Sequence, residues 1–231
     1  MRLHMGSKNI TNIRQGTSSV NFYLESKLVS DITQDSFDNY NRLDYIQSNG
    51  KSWINTGVKP TTTLLSKMKF VMTYYAGASF LGTTDAGKNE TNNDLNYEHD
   101  ENDYRFFRGK DGVTYFDMLK GRIQCNWITS TSSVYEVELG NYYIKNLANG
   151  NKVASGSKQS FNWMTTNRIV LFGTTEYGKV YYLKMWDGDI LIRDFIPCER
   201  KRDGAVGMYD LANNKFYKSQ GSENFIKGNY I

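Results

Sequence analysis

The chain has 231 residues, with 28 Lys plus Arg against 24 Asp plus Glu, two His, two Cys and two Pro; 39% of it is hydrophobic and 14% aromatic. That length buries a real core in one or two domains. A formal charge of +4 is too thin to mark a nucleic-acid binder, the aromatic content excludes a disordered chain, and two Cys build neither a disulfide scaffold nor a zinc site. The 17 Tyr and 20 Gly lean towards strands and turns.

The segment Met1–Gly6 carries charge but no apolar run behind it, so it does not read as a signal peptide. No stretch approaches the ~18 apolar residues of a membrane helix, and membrane insertion is not expected. Synthesis in a cytoplasm follows as the expectation. The triplets at Asn9 and Asn89 match the glycan-acceptor pattern by chance in an Asn-rich chain. Residues 1–30 read as a small β-hairpin unit, with Ile10, Ile13, Val20, Phe22, Leu24, Leu28 and Val29 as its apolar positions and turns at Gly16 and near Ser26. About 30 residues cannot bury enough apolar surface to stand alone, so this unit is expected to pair with another sheet, here assigned to a partner protein. Residues 31–41 read as a linker.

From residue 42 onwards strands alternate with turn chemistry and helical periodicity is nearly absent. Lys67–Tyr74 alternates Met and Phe with Lys. Residues 85–103 are polar and acidic and read as a loop. Val134–Leu139 and Tyr142–Ile144 are expected to flank a two-residue turn at Gly140-Asn141, with a further turn at Asn149-Gly150. Arg168–Gly173 reads as a fully buried strand. Asp187-Gly188 is expected to form a type I′ turn between Tyr181–Trp186 and Ile190–Phe195. Asn213-Asn214-Lys215 reads as a tight turn. The sum is an all-β chain, a β-sandwich.

Enzyme chemistry finds little to work with. His4 lies in the N-terminal tail and His99 in the acidic loop, and neither has a nucleophile partner of the expected kind. Cys125 and Cys198 read as reduced, buried thiols. Glu136 and Glu138 share one face of a strand at the spacing a glycosidase would need, but the strand lacks the tighter signature of such enzymes and reads as a plain solvent face. Asp94, Asp100, Glu101 and Asp103 could supply hard oxygen ligands for calcium, yet lack the strict loop pattern. No catalytic residue, metal site or cofactor is assigned. Trp53, Trp127, Trp163 and Trp186 are the candidate platforms for glycan stacking. Arg200-Lys201-Arg202 reads as a charged loop tip.

Arg42-Leu43-Asp44-Tyr45-Ile46-Gln47-Ser48-Asn49-Gly50-Lys51-Ser52-Trp53-Ile54-Asn55-Thr56-Gly57-Val58-Lys59-Pro60 resembles the opening strand pair of a laminin-G-like, concanavalin-type jelly-roll family abundant in bacteriophage and prophage proteins. Trp53 and Asn55 are mild departures from that family's Tyr and Asp. Leu183–Cys198, Gly204–Leu211 and Lys215-Phe216-Tyr217 resemble its closing strands, so the likeness spans about residues 42–231. Lys8–Ile13, Gly16, Val20, Tyr23 and Leu28-Val29 are similar to short β tags of phage appendage proteins. The resemblance implies a jelly-roll interaction module without a shared catalytic set. It implies a non-enzymatic structural protein of a tailed bacteriophage virion, a head fibre, capsid decoration or tail appendage. Such a protein is made in the host bacterial cytoplasm and located in the virion. Its partners would be other virion proteins (capsid, portal or tail components), and it would be a homo-oligomer, since virions repeat their attachment sites. The alternative is a carbohydrate-binding adhesin for bacterial surface glycans. In this reading Pro197 ends a strand.

Overall fold

The computed structural model describes residues 4–5, 8–9, 36–73, 79–83, 104–109, 111–118, 121–150, 153–156, 167–173 and 176–231. The chain divides into two compact units, Met1–Gln34 and Asp35–Ile231. In the first, β1 (His4–Met5) pairs antiparallel with β2 (Lys8–Asn9), His4 opposite Asn9. The apolar positions Ile10, Ile13, Val20, Phe22, Leu24, Leu28 and Val29 lie outside the described residues, as do His99, Trp163 and the acidic loop 85–103 with Asp94, Asp100, Glu101 and Asp103.

The second unit is an all-β sandwich of two antiparallel sheets. Its strands begin with β3 (Tyr40–Arg42), β4 (Ile46–Asn49), β5 (Ile54–Asn55), β6 (Leu64–Met72), β7 (Ser79–Gly82), β8 (Tyr104–Arg108), β9 (Thr114–Met118) and β10 (Gly121–Cys125). They continue with β11 (Tyr135–Gly140), β12 (Tyr143–Asn146), β13 (Val153–Ser155), β14 (Val170–Leu171), β15 (Tyr177–Asp187), β16 (Ile190–Arg200), β17 (Val206–Asp210), β18 (Lys215–Lys218) and β19 (Ile226–Lys227). The smaller sheet has the order β10-β9-β8-β7-β14-β5. The larger runs β13-β12-β11-β6-β15-β16-β17-β18, with β3 on β16 and β4 bridging β15 and β19.

The alternation read in β6 holds: Met68, Phe70 and Met72 are fully buried, while Lys67 and Lys69 lie on the opposite face. Phe70 carries the large sheet onto the small one, with ring centroids 5.2 Å from Phe80 and 5.4 Å from Phe106, the latter edge-on. Tyr104 and Phe116 repeat that edge contact at 5.2 Å. Each such ring removed from water contributes about 1.5–3 kcal/mol. Among the described residues no helix is long and apolar enough to cross a membrane.

Several expected turns move by a residue. Gly140 belongs to β11, opposite Tyr143, and the turn is Asn141-Tyr142, with Tyr142 at φ +60. The reason is packing: the Tyr143 ring lies where a Cβ on Gly140 would stand, so glycine is needed in the strand itself. Asp187 pairs with Ile190, so the β15–β16 turn is Gly188-Asp189. Gly188 has φ +58 and Asp189 is not in the left-handed region, which is the type II′ pattern rather than I′. The buried run around residue 170 keeps its burial from Ile169 to Phe172, but only Val170 and Leu171 form strand, because Phe172 turns to φ +59.

Pro197 does not end a strand. It sits inside β16, opposite Met208 of β17. Its carbonyl accepts from Leu43 N at 3.0 Å, and a strand residue's N–H and C=O point to the same edge. The missing donor therefore faces the Leu43 side, and the ladder to β17 loses nothing. The opening blocks differ as well. β4 and β5 do not pair with each other: β4 enters the large sheet and β5 the small one. Gly50, at φ +85 and buried against the Tyr177 ring, makes the crossing.

Residues 36–40 fold onto the outer face of the large sheet. Ser36 caps a 3-10 turn, Phe37–Asn39, by accepting from Asp38 N. Phe37 and Tyr40 then join Ile196, Cys198, Tyr209 and Phe216 in a second apolar cluster. Cys198 and Cys125 are both fully buried.

Candidate functional site

The motifs most legible in the sequence are built into a clamp between the opening and closing segments. Asp210, fully buried, accepts from Asp194 N at 2.9 Å, Ala212 N at 3.1 Å and Asn213 Nδ2 at 2.7 Å. Its other neighbour is Arg193, 3.6 Å away. Arg193 in turn donates to Thr56 O at 2.8 Å, and the Thr56 hydroxyl donates to Ile169 O at 2.7 Å. Gly57 at φ +74 leaves room for the Arg193 guanidinium. These residues tie the opening and closing segments of the sandwich together.

The candidate carboxylate pair points outward from the large sheet, as the strand period requires. Glu136 accepts from Tyr182 Oη at 2.6 Å. Glu138 accepts from Tyr143 Oη at 2.7 Å and pairs with Lys67 at 3.0 Å. Burial alone would raise the Glu138 pKa, but the Tyr143 and Lys67 hydrogen bonds and the Lys67 and Lys145 charges outweigh it and leave the carboxyl below its usual range. A glycosidase acid needs the opposite shift. Burial and the Glu138 carboxylate together push the Tyr143 phenol up, and burial with Glu136 does the same to Tyr182.

Around this pair the outer face is ordered in rows by strand register. One row is apolar: Tyr143 stacked on Gly140, then Leu65, Trp186 and Leu191, where Trp186 stands opposite both Leu65 and Leu191. The next row is charged: Lys145 opposite Glu138, Glu138 opposite Lys67, Lys67 opposite the like-charged Lys184, and Lys184 opposite Asp194 at 3.1 Å. Lys67 Nζ also lies 5.3 Å from the Trp186 ring centroid. The third row is Glu136, Lys69 and Tyr182. A β-bulge between Val180 and Tyr182 adds one residue there, and Tyr181 leaves the core face along with Tyr182. Bulges of this kind re-aim side chains. Tyr181 meets Tyr45 edge-on at 5.6 Å, Lys179 Nζ sits 4.2 Å from the Tyr45 ring and Lys69 Nζ 5.5 Å from the Tyr181 ring.

Of the four candidate tryptophans, Trp186 alone among the described ones stands in this face. Trp53 and Trp127 pack half-buried against the core, and the Trp127 Nε1 is buried without a hydrogen-bond partner among the described residues. Sequence reasoning did not find Tyr45, Tyr181 or Lys179; the consecutive Tyr181-Tyr182 between Val180 and Leu183, which breaks the alternation, was the available signal. The small sheet's far face is polar too, but sealed. Arg105 is 3% exposed and stacks 4.4 Å over Phe107, and Asp117 is fully buried in a two-point pair with Arg122 at 2.7 and 2.9 Å. Among the described residues no group of three or more His, Cys, Asp or Glu is placed to hold a metal ion.

Searched against protein-family models, curated proteins and solved structures, the chain gives no match.

Proposed function

We propose that this chain is a non-enzymatic structural protein of a tailed bacteriophage virion, a head fibre, capsid decoration or tail appendage. In this reading the N-terminal unit docks on a capsid, portal or tail component, and residues 42–231 form a jelly-roll interaction domain held in several copies. The observation that carries it is the clamp. The opening and closing blocks that resemble the phage jelly-roll family are the segments that Arg193 ties together through Thr56 and Asp210. Residues that make a sandwich close on itself, with no chemistry at the join, suit a display scaffold. The test is to delete residues 1–30 and measure incorporation into particles. Loss of incorporation with the sandwich still folded is expected, and undiminished incorporation removes the anchoring role.

The second reading is a carbohydrate-binding adhesin for bacterial surface glycans. One observation favours it, the row of Tyr143, Leu65, Trp186 and Leu191 on the outer face of the large sheet. Aromatic rings on a half-buried sheet, with polar groups beside them, are the ordinary means of stacking a sugar.

A further inference from the structure

The outer face of the large sheet is uneven across its width. Over β16 and β17 it is closed by the turn at 37–39 and by β3, and Tyr209 beneath them is fully buried. Over β6, β11, β12 and β15 its side chains are half-buried, with no such cover among the described residues.

Within that half-buried part the acids and bases are not evenly matched. Every carboxylate has at least one donor: Glu136 has the Tyr182 hydroxyl, Glu138 has Tyr143 and Lys67, and Asp194 has Lys184 on one oxygen, its other oxygen being buried towards β16, away from Lys69 and Lys179, without a hydrogen bond among the described residues. Asp44, at the edge, accepts from Tyr45 N at 2.8 Å and Asn229 N at 2.7 Å. The cations Lys69 and Lys179 have no carboxylate within ion-pair distance among the described residues. Each sits over a tyrosine ring instead, on the edge-packed pair Tyr181 and Tyr45. A ring face holds an ammonium group without neutralising it. What the part around Tyr45 and Tyr181 leaves unmet is therefore positive charge and N–H donors, beside aromatic faces and an apolar row.

A ligand that complements all three features carries anionic groups at intervals, hydroxyls between them, and C–H faces for the rings. We propose that this face, centred on Tyr45, Tyr181, Lys69 and Lys179, binds an acidic polysaccharide, with Trp186 extending the contact along the sheet. The inference rests on the adhesin reading and narrows it to one ligand class and one surface. Its charge contribution falls with salt, as for any exposed pair.

The test uses the full chain and polygalacturonate as probe, with fully methyl-esterified polygalacturonate and dextran as uncharged controls, by affinity electrophoresis. Polygalacturonate is expected to retard the protein and the two uncharged polymers to do so far less. Lys69→Gln with Lys179→Gln is expected to weaken binding about fivefold or more with an unchanged melting temperature. Lys215→Gln with Lys218→Gln, on the distant β18, is expected to leave it intact. No retardation by polygalacturonate, equal retardation by the esterified polymer, or equal loss in both lysine pairs would overturn the proposal. A glycan array separates the two readings. Binding to neutral glycans that Trp186→Ala abolishes, with the Lys69/Lys179 pair without effect, sinks the acidic ligand and keeps the adhesin. No binding to any glycan sinks both.

Discussion

A carboxyl sealed from water is costly to ionise unless donors compensate it. Glu176, just before β15, is 1% exposed, and neither side-chain oxygen accepts a hydrogen bond among the described residues. Burial pushes its pKa well above the ordinary range, and the charges of Arg108 and Arg105 offset that only in part. A raised folded-state pKa means that the group's contribution to stability is full below the unfolded value, about 4.3, and is lost as pH rises from there through the folded value. Melting temperature measured across that interval should therefore decline in the wild type more steeply than in Glu176→Gln. Parallel pH profiles for the two proteins would contradict this. The buried Asp210 differs in its surroundings, being met by three hydrogen-bond donors and a guanidinium.

At the level of elements, what the sequence made legible was period and what it hid was register. Met68, Phe70 and Met72 against Lys67 and Lys69 could be read directly, since only a period of two puts one set inside. Turn positions at Gly140 and Gly188 were each off by one residue, because a glycine serves a positive φ and a close approach equally well, and the sequence does not say which. At Gly140 the Tyr143 ring decides it; at Gly188 a positive φ with no atom within 4 Å does. Gly188→Ala should then cost about 1–2 kcal/mol by urea denaturation and Gly188→Asn clearly less, since backbone strain is the sole penalty. Equal costs for the two would mean that the turn is held otherwise. The outward face was half visible. The shared face of Glu136 and Glu138 followed from alternation and Trp186 was one of four candidate platforms, but Tyr181 was displaced by a bulge, and Tyr45 reaches it from just before β4, more than a hundred residues away in sequence. No local pattern announces such a meeting.

For the molecule as a whole, the division at residue 34 and the inward packing of Phe37 and Tyr40 place the start of the sandwich before the segment that carries the family resemblance. A chain beginning at Asp35 should unfold in one cooperative transition, with its melting temperature within about 3 °C of that of the sandwich in the full chain, by calorimetry. A chain beginning at Leu43 loses Phe37 and Tyr40 from the second cluster, uncovers Tyr209 and should melt lower. If the Asp35 chain has no cooperative transition, residues 1–34 are part of the folding unit.

The pairing of β19 with β4, and of Tyr230 with Leu43, has a consequence for biosynthesis. Strand β4 emerges early, yet both of its edges wait for partners made much later, β15 on one side and β19 on the other. Contacts this distant in sequence fold slowly and leave strand edges exposed meanwhile. A nascent chain is therefore held unfinished until residues 226–230 have left the ribosome, and a polypeptide cut short before them keeps an open, adhesive edge. Closing that edge is the work of residues 226–230, and truncation before them should lower the yield of folded protein.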